Sequence, residues 1–221
     1  MGILQKYFSQ SDLTEIKEAV GTAEKKTSAE IVPFFAEVSH HYREWIWFSS
    51  FVCGGISGIG YFTLQYFQTA LWGSSMITGI LSVWSGACVG LVLTYVFPSL
   101  RLFLVPKDVK RFFVNLRAKE AFLDEEVFLT RSRTGILIYI SLREHFVRIL
   151  PDKRIARAVP QSEWNEAVRL IVDGMKTNKK KQGIISSILF CGDLLERYKL
   201  IIEKDDTNEI SNEIREGGSS L

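Results

Sequence analysis

Residues 28–37 read SAEIVPFFAE, a run of apolar and β-branched side chains that predicts one strand of an α/β sheet. Pro33 has no backbone N–H, so the strand is expected to lie at a sheet edge or to be locally irregular. One strand needs partners, and only eight residues further on the chain becomes strongly apolar. The fold therefore depends on where this strand finds its sheet.

A helix is predicted before the strand. Residues 11–15 offer an N-cap, with Asp12 and Glu15 at capping-box spacing, and apolar side chains then recur on one face to about Lys26. A single helix and a single strand do not close a core. This first part, residues 1–44, must be completed by another segment.

Residues 45–100 contain no Asp, Glu, Lys or Arg, although 24% of the 221 residues are charged. A membrane-spanning helix needs about 20 apolar residues, and the block provides two such lengths, 45–67 and 75–97, with a tight turn between them. Aromatic residues lie near the predicted ends, as they do at membrane interfaces, and Pro98 stops the second helix. A soluble apolar core is the alternative, but it would have to absorb the whole uncharged run.

Cationic flanks predict the orientation of this hairpin. The turn between the spans carries no Lys or Arg, whereas the two outer flanks carry Arg43, Arg101, Lys107, Lys110 and Arg111. The positive-inside rule then places both termini in the cytoplasm. An even number of spans also puts the parts before and after the hairpin on the same side of the membrane.

Each span contains two glycines four residues apart, at similar predicted depths: Gly54 and Gly58 in the first, Gly86 and Gly90 in the second. Glycines at this spacing allow two helix backbones to approach closely, which predicts that the spans pack together there. The alternative is that glycine is simply common in membrane helices.

The part after the hairpin, residues 101–203, predicts a helix at 108–123 with Phe112, Phe113, Leu116 and Phe122 on its apolar face. A β-hairpin of strands 136–141 and 146–150 follows, and then two helices that start near Ser162 and Ile184, with a break at 178–183. Residues 204–221 show no core pattern and predict a disordered tail. The strand at 28–37 is expected to pair with 136–141, so that the membrane hairpin interrupts a single α/β domain.

The order of several segments resembles the TPM domain family, in particular its bacterial membrane branch, in which a two-span hairpin interrupts the domain. The segments that carry the resemblance are 23–32 (AEKKTSAEIV), 134–141 (TGILIYIS), 147–152 (VRILPD), Trp164 and 183–192 (GIISSILFCG). The resemblance implies a small mixed sheet flanked by helices and a location in the bacterial inner membrane. It also implies two possible properties of soluble relatives, acid phosphatase activity and calcium binding.

The chain departs from the phosphatase members of that family at two places. It lacks their leading strand with an Asp-bearing segment, and residues 132–135 read SRTG where those members tend to have an Asn-Asn-Gly turn. Both departures argue against phosphatase activity.

Five polar residues at the ends of predicted strands form a candidate ligand cleft: Thr27, Glu30, Arg133, Thr134 and Asp152. Two carboxylates could contribute to a cation site, which needs several oxygen ligands, and an arginine could bind a phosphoryl group. The alternative is that these residues form ordinary turns and surface ion pairs.

Other residues are weaker candidates for a metal site or a ligand site. His40 and His41 are adjacent and would face opposite ways on a strand, Cys191 is expected to be a small buried hydrophobe, and the lysines at 179–181 are expected to form a solvated loop that could touch anionic lipid. The net charge of +2, without an aromatic-basic stripe, argues against nucleic acid as a partner. No metal spacing or resident cofactor is predicted, apart from the calcium that the resemblance implies.

Two functions remain. The first is a non-catalytic, membrane-anchored cytoplasmic module whose partners are the lipid bilayer and either another protein or a second copy of itself. The second, which rests on the family resemblance alone, is a membrane-tethered phosphatase or calcium-dependent hydrolase.

Overall fold

The computed structural model describes residues 3–67, 76–198, 210 and 214–217. The chain forms two units, an α/β unit (Met1–His40 and Arg111–Leu221) and a hairpin unit (His41–Lys110). The described helices are α1 (Ile3–Tyr7), α2 (Gln10–Glu24), α3 (Glu44–Phe67), α4 (Met76–Val96), α5 (Pro98–Leu104), α6 (Lys107–Asp124), α7 (Lys153–Ala158), α8 (Gln161–Lys176) and α9 (Lys180–Arg197). The strands are β1 (Glu30–Ala36), β2 (Gly135–Ser141), β3 (Phe146–Pro151) and β4 (Arg215–Gly217).

The four strands form one mixed sheet in the order β3-β2-β1-β4. β1 pairs with β2 in parallel, from Glu30 opposite Gly135 to Ala36 opposite Ser141, so the predicted pairing across the apolar insertion is confirmed. β2 and β3 form the predicted antiparallel hairpin. β1 is thus an inner strand. It is far from β2 in the sequence but is paired with it along its whole length.

The backbone nitrogen of Pro33 faces away from β2. The Glu30 N–H donates to the Thr134 carbonyl on the β2 side, and alternate residues of a strand turn their N–H groups to opposite sides. Pro33 therefore faces the β4 side, where the register with β4 begins only at Phe34. The missing N–H leaves the β1–β2 ladder intact, which explains how a proline fits a strand with neighbours on both sides.

Helices cover both faces of the sheet. The side chains of Ile31, Phe35 and alternate residues of β2 pack with buried residues of α2, α8 and α9, among them Val20, Trp164 and Ile188. Those of Val32 and Phe34 pack on the other face with Val114, Ala118 and Ala121 of α6. Burial on both faces explains why β1 and β2 are apolar almost throughout rather than alternating with polar residues.

Several local expectations are wrong. The N-cap of α2 is Ser9 rather than a residue of 11–15, and its capping box joins Ser9 to Asp12, because the helix begins at Gln10. α6 turns the small residues Val114, Ala118 and Ala121 to the sheet, so Phe112 and Leu116 of the expected apolar face are 63% and 46% exposed.

Two further expectations are wrong nearer the carboxyl terminus. α9 begins at Lys180, within the expected break at 178–183, and Lys181 bridges to Asp12 and Glu15 of α2 at 3.0 and 2.9 Å instead of lying in a solvated loop. Most of the expected tail lies outside the described residues, but Arg215–Gly217 form β4 because β1 has a free edge there.

The hairpin unit contains the two predicted apolar helices as α3 and α4, and the expected turn between them lies outside the described residues. Both helices are long and apolar enough to cross a membrane. Pro98 ends α4, as predicted, and then becomes the first residue of the short helix α5. Large apolar side chains point outward over both helices: Phe51, Phe62 and Met76 are 79%, 68% and 83% exposed.

Candidate functional site

Four of the five predicted cleft residues lie at one end of the sheet. β1 and β2 begin there and β3 ends there, since Glu30 pairs with Gly135 and Ile136 pairs with Pro151. Thr27 precedes β1, Thr134 precedes β2, and Asp152 follows β3. We refer to Thr27, Glu30, Thr134 and Asp152 as the amino-end cluster, and all four are buried.

The two threonines of the amino-end cluster fix backbone turns. The Thr134 hydroxyl donates to the Ser28 carbonyl at 2.8 Å, and its N–H donates to the Thr130 hydroxyl at 2.9 Å. The Thr27 hydroxyl accepts the Ala29 N–H at 3.2 Å. These bonds hold the entries to β1 and β2 side by side, which is the turn chemistry that the sequence left as the alternative.

Asp152 is the member of the cluster with a bonding capacity that the described residues leave unused. Its N–H donates to the Gly135 carbonyl at 2.8 Å, and its Oδ1 accepts the Lys153 N–H at 2.6 Å as the N-cap of α7. Its Oδ2 is buried and has no hydrogen-bond partner among the described residues. A buried carboxylate oxygen in this state is energetically unfavourable unless something binds it.

Arg133, the fifth predicted residue, is held apart from that oxygen. Its backbone has a φ of 54° in a tight turn, and its guanidinium lies over the Phe128 ring, 5.7 Å from the centroid. The guanidinium is therefore engaged in a cation–π contact. It does not hydrogen-bond to Asp152 Oδ2.

The fit of the amino-end cluster to calcium is poor. Calcium takes six to eight oxygen ligands. The cluster offers only the carboxylates of Glu30 and Asp152, and the Oδ1 atom of Asp152 already caps α7. Within the described ranges, no group of three or more His, Cys, Asp or Glu side chains could hold a metal ion. The calcium that the family resemblance implies stays a prediction.

A second polar group, which the sequence did not reveal, lies at the opposite end of β1 and β2. The Glu144 carboxylate accepts the Ser39 N–H at 3.1 Å and the Ser141 hydroxyl at 2.5 Å. The Ser39 hydroxyl in turn bonds the Tyr139 hydroxyl at 3.0 Å. We call Ser39, Tyr139, Ser141 and Glu144 the carboxyl-end network. All four are buried, and burial raises the pKa of the Tyr139 phenol to about 12.

The carboxyl-end network ties the segment that leaves β1 to the turn between β2 and β3. In the sequence, Glu144 lies in the short polar segment between the two predicted strands 136–141 and 146–150. No local pattern could have revealed its burial, because its partner Ser39 is 105 residues away. The pairing of β1 with β2 was the available signal, since it brings the two strand ends together.

The four glycines that the sequence singled out lie at the contact between α3 and α4. A methyl group at Gly54 would lie 3.2 Å from the Ala87 Cβ, and one at Gly90 would lie 2.6 Å from the Ser49 carbonyl oxygen. Gly58 faces Val83, and Gly86 faces Ser57 and Cys53. The helix backbones therefore approach closely along one seam.

Hydroxyl groups form hydrogen bonds across the same seam. Ser49 donates to the Gly90 carbonyl at 2.9 Å, Ser50 to the Ala87 carbonyl at 2.9 Å, and Ser57 to the Ser82 carbonyl at 2.8 Å. These polar side chains face the partner helix rather than the surroundings. The outward surface of the pair is mostly apolar, which suits a lipid environment.

Comparisons with known proteins bear on the fold. No protein-family model matches the chain, and no curated protein matches it. The NMR structure of the BA42 protein from the psychrophilic bacterium Bizionia argentinensis is similar, with a TM-score of 0.58 and 19% sequence identity over 98% of this chain and 100% of that one. At this identity the similarity supports the mixed α/β fold alone.

Proposed function

We propose that this chain is a membrane-anchored binding module of the TPM type, with its α/β unit on the cytoplasmic side of the bacterial inner membrane. The observation that carries the proposal is the outward apolar surface of α3 and α4 together with their hydrogen-bonded inner seam. A core helix of a soluble protein would bury those apolar side chains. Here the partner that covers them is lipid.

The sheet supports the proposed topology. β1 precedes the hairpin and β2 follows it, yet the two are hydrogen-bonded neighbours along their whole length. Strands on opposite sides of a bilayer cannot pair, so an even number of crossings is required. The basic residues Arg43, Arg101 and Lys107 lie on the outer flanks of the two spans and not between them, which favours the cytoplasm for both termini.

Binding, rather than catalysis, is favoured by the use of the polar groups. At the amino-end cluster, Thr27 and Thr134 are hydrogen-bonded within turns and Arg133 stacks on Phe128. At the carboxyl-end network, Glu144 accepts hydrogen bonds from Ser39 and Ser141. These groups stabilise the fold. Binding of a partner protein or of a second copy is therefore the function that we propose for the anchored module.

Cysteine labelling tests the topology. In a chain with its native cysteines replaced, single cysteines are placed at exposed positions before and after the hairpin (Gln5→Cys and Arg157→Cys) and between the spans (Ser74→Cys). A membrane-impermeant maleimide should label intact cells only at position 74, and the other two only after permeabilisation. Opposite labelling of positions 5 and 157 would contradict the topology, as would release of the chain by alkaline carbonate.

A tethered hydrolase is the second candidate, and the unpartnered Asp152 Oδ2 is the observation in its favour. Purified chain in detergent is assayed with p-nitrophenyl phosphate, with and without calcium or magnesium. The binding module predicts no turnover above the blank. Turnover that Asp152→Asn abolishes, and that the surface control Asp173→Asn preserves, would establish the hydrolase instead.

A further inference from the structure

The edge of β1 that faces away from β2 offers few backbone hydrogen bonds. On the side away from β2, the Ile31 N–H already donates to the Glu24 carboxylate at 2.9 Å, and Pro33 has no N–H to offer. By alternation along the strand, Phe35 presents the remaining N–H on that side. A strand that adds here cannot rely on a long ladder, so its side chains must supply most of the recognition.

β4 occupies this edge with three residues, and each has its own contact. The Arg215 guanidinium pairs with Glu125 at 2.8 Å, and the Glu216 carboxylate accepts the Leu4 N–H at 3.0 Å. Gly217 lies against the Phe34 ring, where an added methyl group would approach Cε1 to 2.8 Å. The edge therefore selects a basic residue, an acidic residue and a glycine, in that order.

The segment is held incompletely. The register with β1 extends over Phe34, Phe35 and Ala36 alone, and the Arg215 Nε is buried without a hydrogen-bond partner among the described residues. A short pairing with an unsatisfied donor holds the segment weakly, so the segment can leave its own edge. The chain tethers this segment beside its own edge, so the segment of a second copy must compete with a high local concentration.

We infer that the edge of β1, with Glu125, the Leu4 N–H and the Phe34 ring, is a strand-acceptor site that takes the carboxyl-terminal segment of a second copy of this chain in exchange for its own. The sequence order of the segment that fits, Arg215-Glu216-Gly217, occurs once in the chain. Copies anchored in one membrane face are concentrated in two dimensions, which favours such an exchange. The inference deepens the proposed binding function by naming a partner, and the acceptor geometry itself does not depend on membrane insertion.

A charge swap tests the exchange with the full chain. Glu125→Arg and Arg215→Glu each place like charges together within one copy and within a dimer of identical copies. A mixed dimer of the two variants is matched at both sites, since each acceptor meets the complementary segment. With donor and acceptor dyes on the two variants in nanodiscs, energy transfer should exceed that of either variant alone by about fivefold or more, given the charge pairs restored.

Two controls complete the design. Glu126→Arg is the matched acceptor control, with the same charge change next to Glu125, and mixed with Arg215→Glu it should give no increase in energy transfer. Hydrogen exchange at the Phe35 amide reports occupancy of the edge, and a peptide of residues 210–221 should restore protection in the Arg215→Glu chain.

Energy transfer in the matched mixture that does not exceed the single variants would overturn the inference, and so would an unrelated peptide that protects Phe35 equally well. Membrane insertion is scored separately by the cysteine labelling. A correctly inserted chain without exchange therefore contradicts this inference alone, whereas exchange by a chain that fails to insert contradicts the proposed anchor alone.

Discussion

The α/β unit and the helix pair α3–α4 bury opposite kinds of residue. The α/β unit hides large apolar side chains such as Phe35, Ile138 and Trp164. The helices α3 and α4 of the hairpin unit instead bury small residues at their contact and expose large apolar side chains: the buried residues of these two helices are Ser49, Gly54, Gly58, Gly79, Gly90 and Thr94. Under the proposed function the two units fold against different solvents, since apolar burial stabilises a unit only where water surrounds it.

The largest loss of stability is expected from a substitution at a glycine of the sheet. A methyl group at Gly135 would collide with the Val127 carbonyl oxygen, and the backbone on both sides is fixed by the β2 pairing. We expect Gly135→Ala to lower the free energy of unfolding of the α/β unit by about 3 kcal/mol, the upper part of the range for overpacked cores. Denaturant unfolding in detergent, monitored by hydrogen exchange at the β2 amides, measures this loss of stability.

Gly55→Ala is the control for that substitution. Gly55 lies on the outward side of α3 with open space around its Cα, so an added methyl group has nothing to displace. The expected change is within about 0.5 kcal/mol. Helix propensity favours alanine over glycine, so a loss at Gly55 equal to the loss at Gly135 would contradict close packing as the cause of the effect.

A smaller effect is expected from removing the buried carboxylate of the carboxyl-end network. Glu144→Ala leaves the Ser39 N–H and the Ser141 hydroxyl without their acceptor in a buried site. The expected loss of stability is about 2 kcal/mol, the cost of leaving buried donors unsatisfied. Thermal unfolding of Glu144→Ala, Ser141→Ala and the double variant should show strong coupling, and additive effects would contradict the network.

Matched serines sharpen the comparison between the two units. The Ser187 hydroxyl donates to the Ala167 carbonyl in the α/β unit, and the Ser57 hydroxyl donates to the Ser82 carbonyl in the hairpin, both at 2.8 Å. Ser187→Ala should cost about 1 kcal/mol, and Ser57→Ala about 0.6 kcal/mol, since hydrogen bonds within membranes find substitutes in the unfolded state. Unfolding of each variant in detergent measures the two losses, and a larger loss for Ser57→Ala would reverse the expected order.

The sequence was sufficient for features that repeat along the chain or exclude charge. The uncharged block predicted α3 and α4, the four glycines predicted the seam between them, and the apolar run at 136–141 predicted the partner of β1. Each of these signals is carried by many residues that point the same way. Local substitutions in the pattern would not have hidden them.

Features that depend on one distant contact could not be predicted. β4 has three residues without a strand pattern, and it forms because the edge of β1 is free and Glu125 lies nearby for Arg215. The N-cap at Ser9 competed with equally good polar residues at 11–15, and only the helix start decides between them. For the candidate cleft, the sequence predicted that Glu30, Thr134 and Asp152 come together, but not that Arg133 would stack on Phe128.

The smallest expected effect is the difference between the two units in how their stability depends on pH. The Ser9 N–H and hydroxyl bind the Asp12 carboxylate, and with Lys181 they lower its pKa from 3.8 to about 2. A carboxyl group whose pKa is depressed by folding stabilises the folded state above its unfolded pKa, and this contribution is lost as the pH falls through the folded pKa. Asp12→Asn should therefore lower the Tm slightly at pH 5 and flatten its fall between about pH 4 and pH 2. Glu18→Gln, an exposed change on the same helix, is the control and should leave that slope unchanged. Residues 45–97, which include α4 and all of α3 except Glu44, contain no acidic or basic residue. A pH-dependent loss of α3–α4 packing equal to the loss of α2 would therefore contradict the separation of the two units.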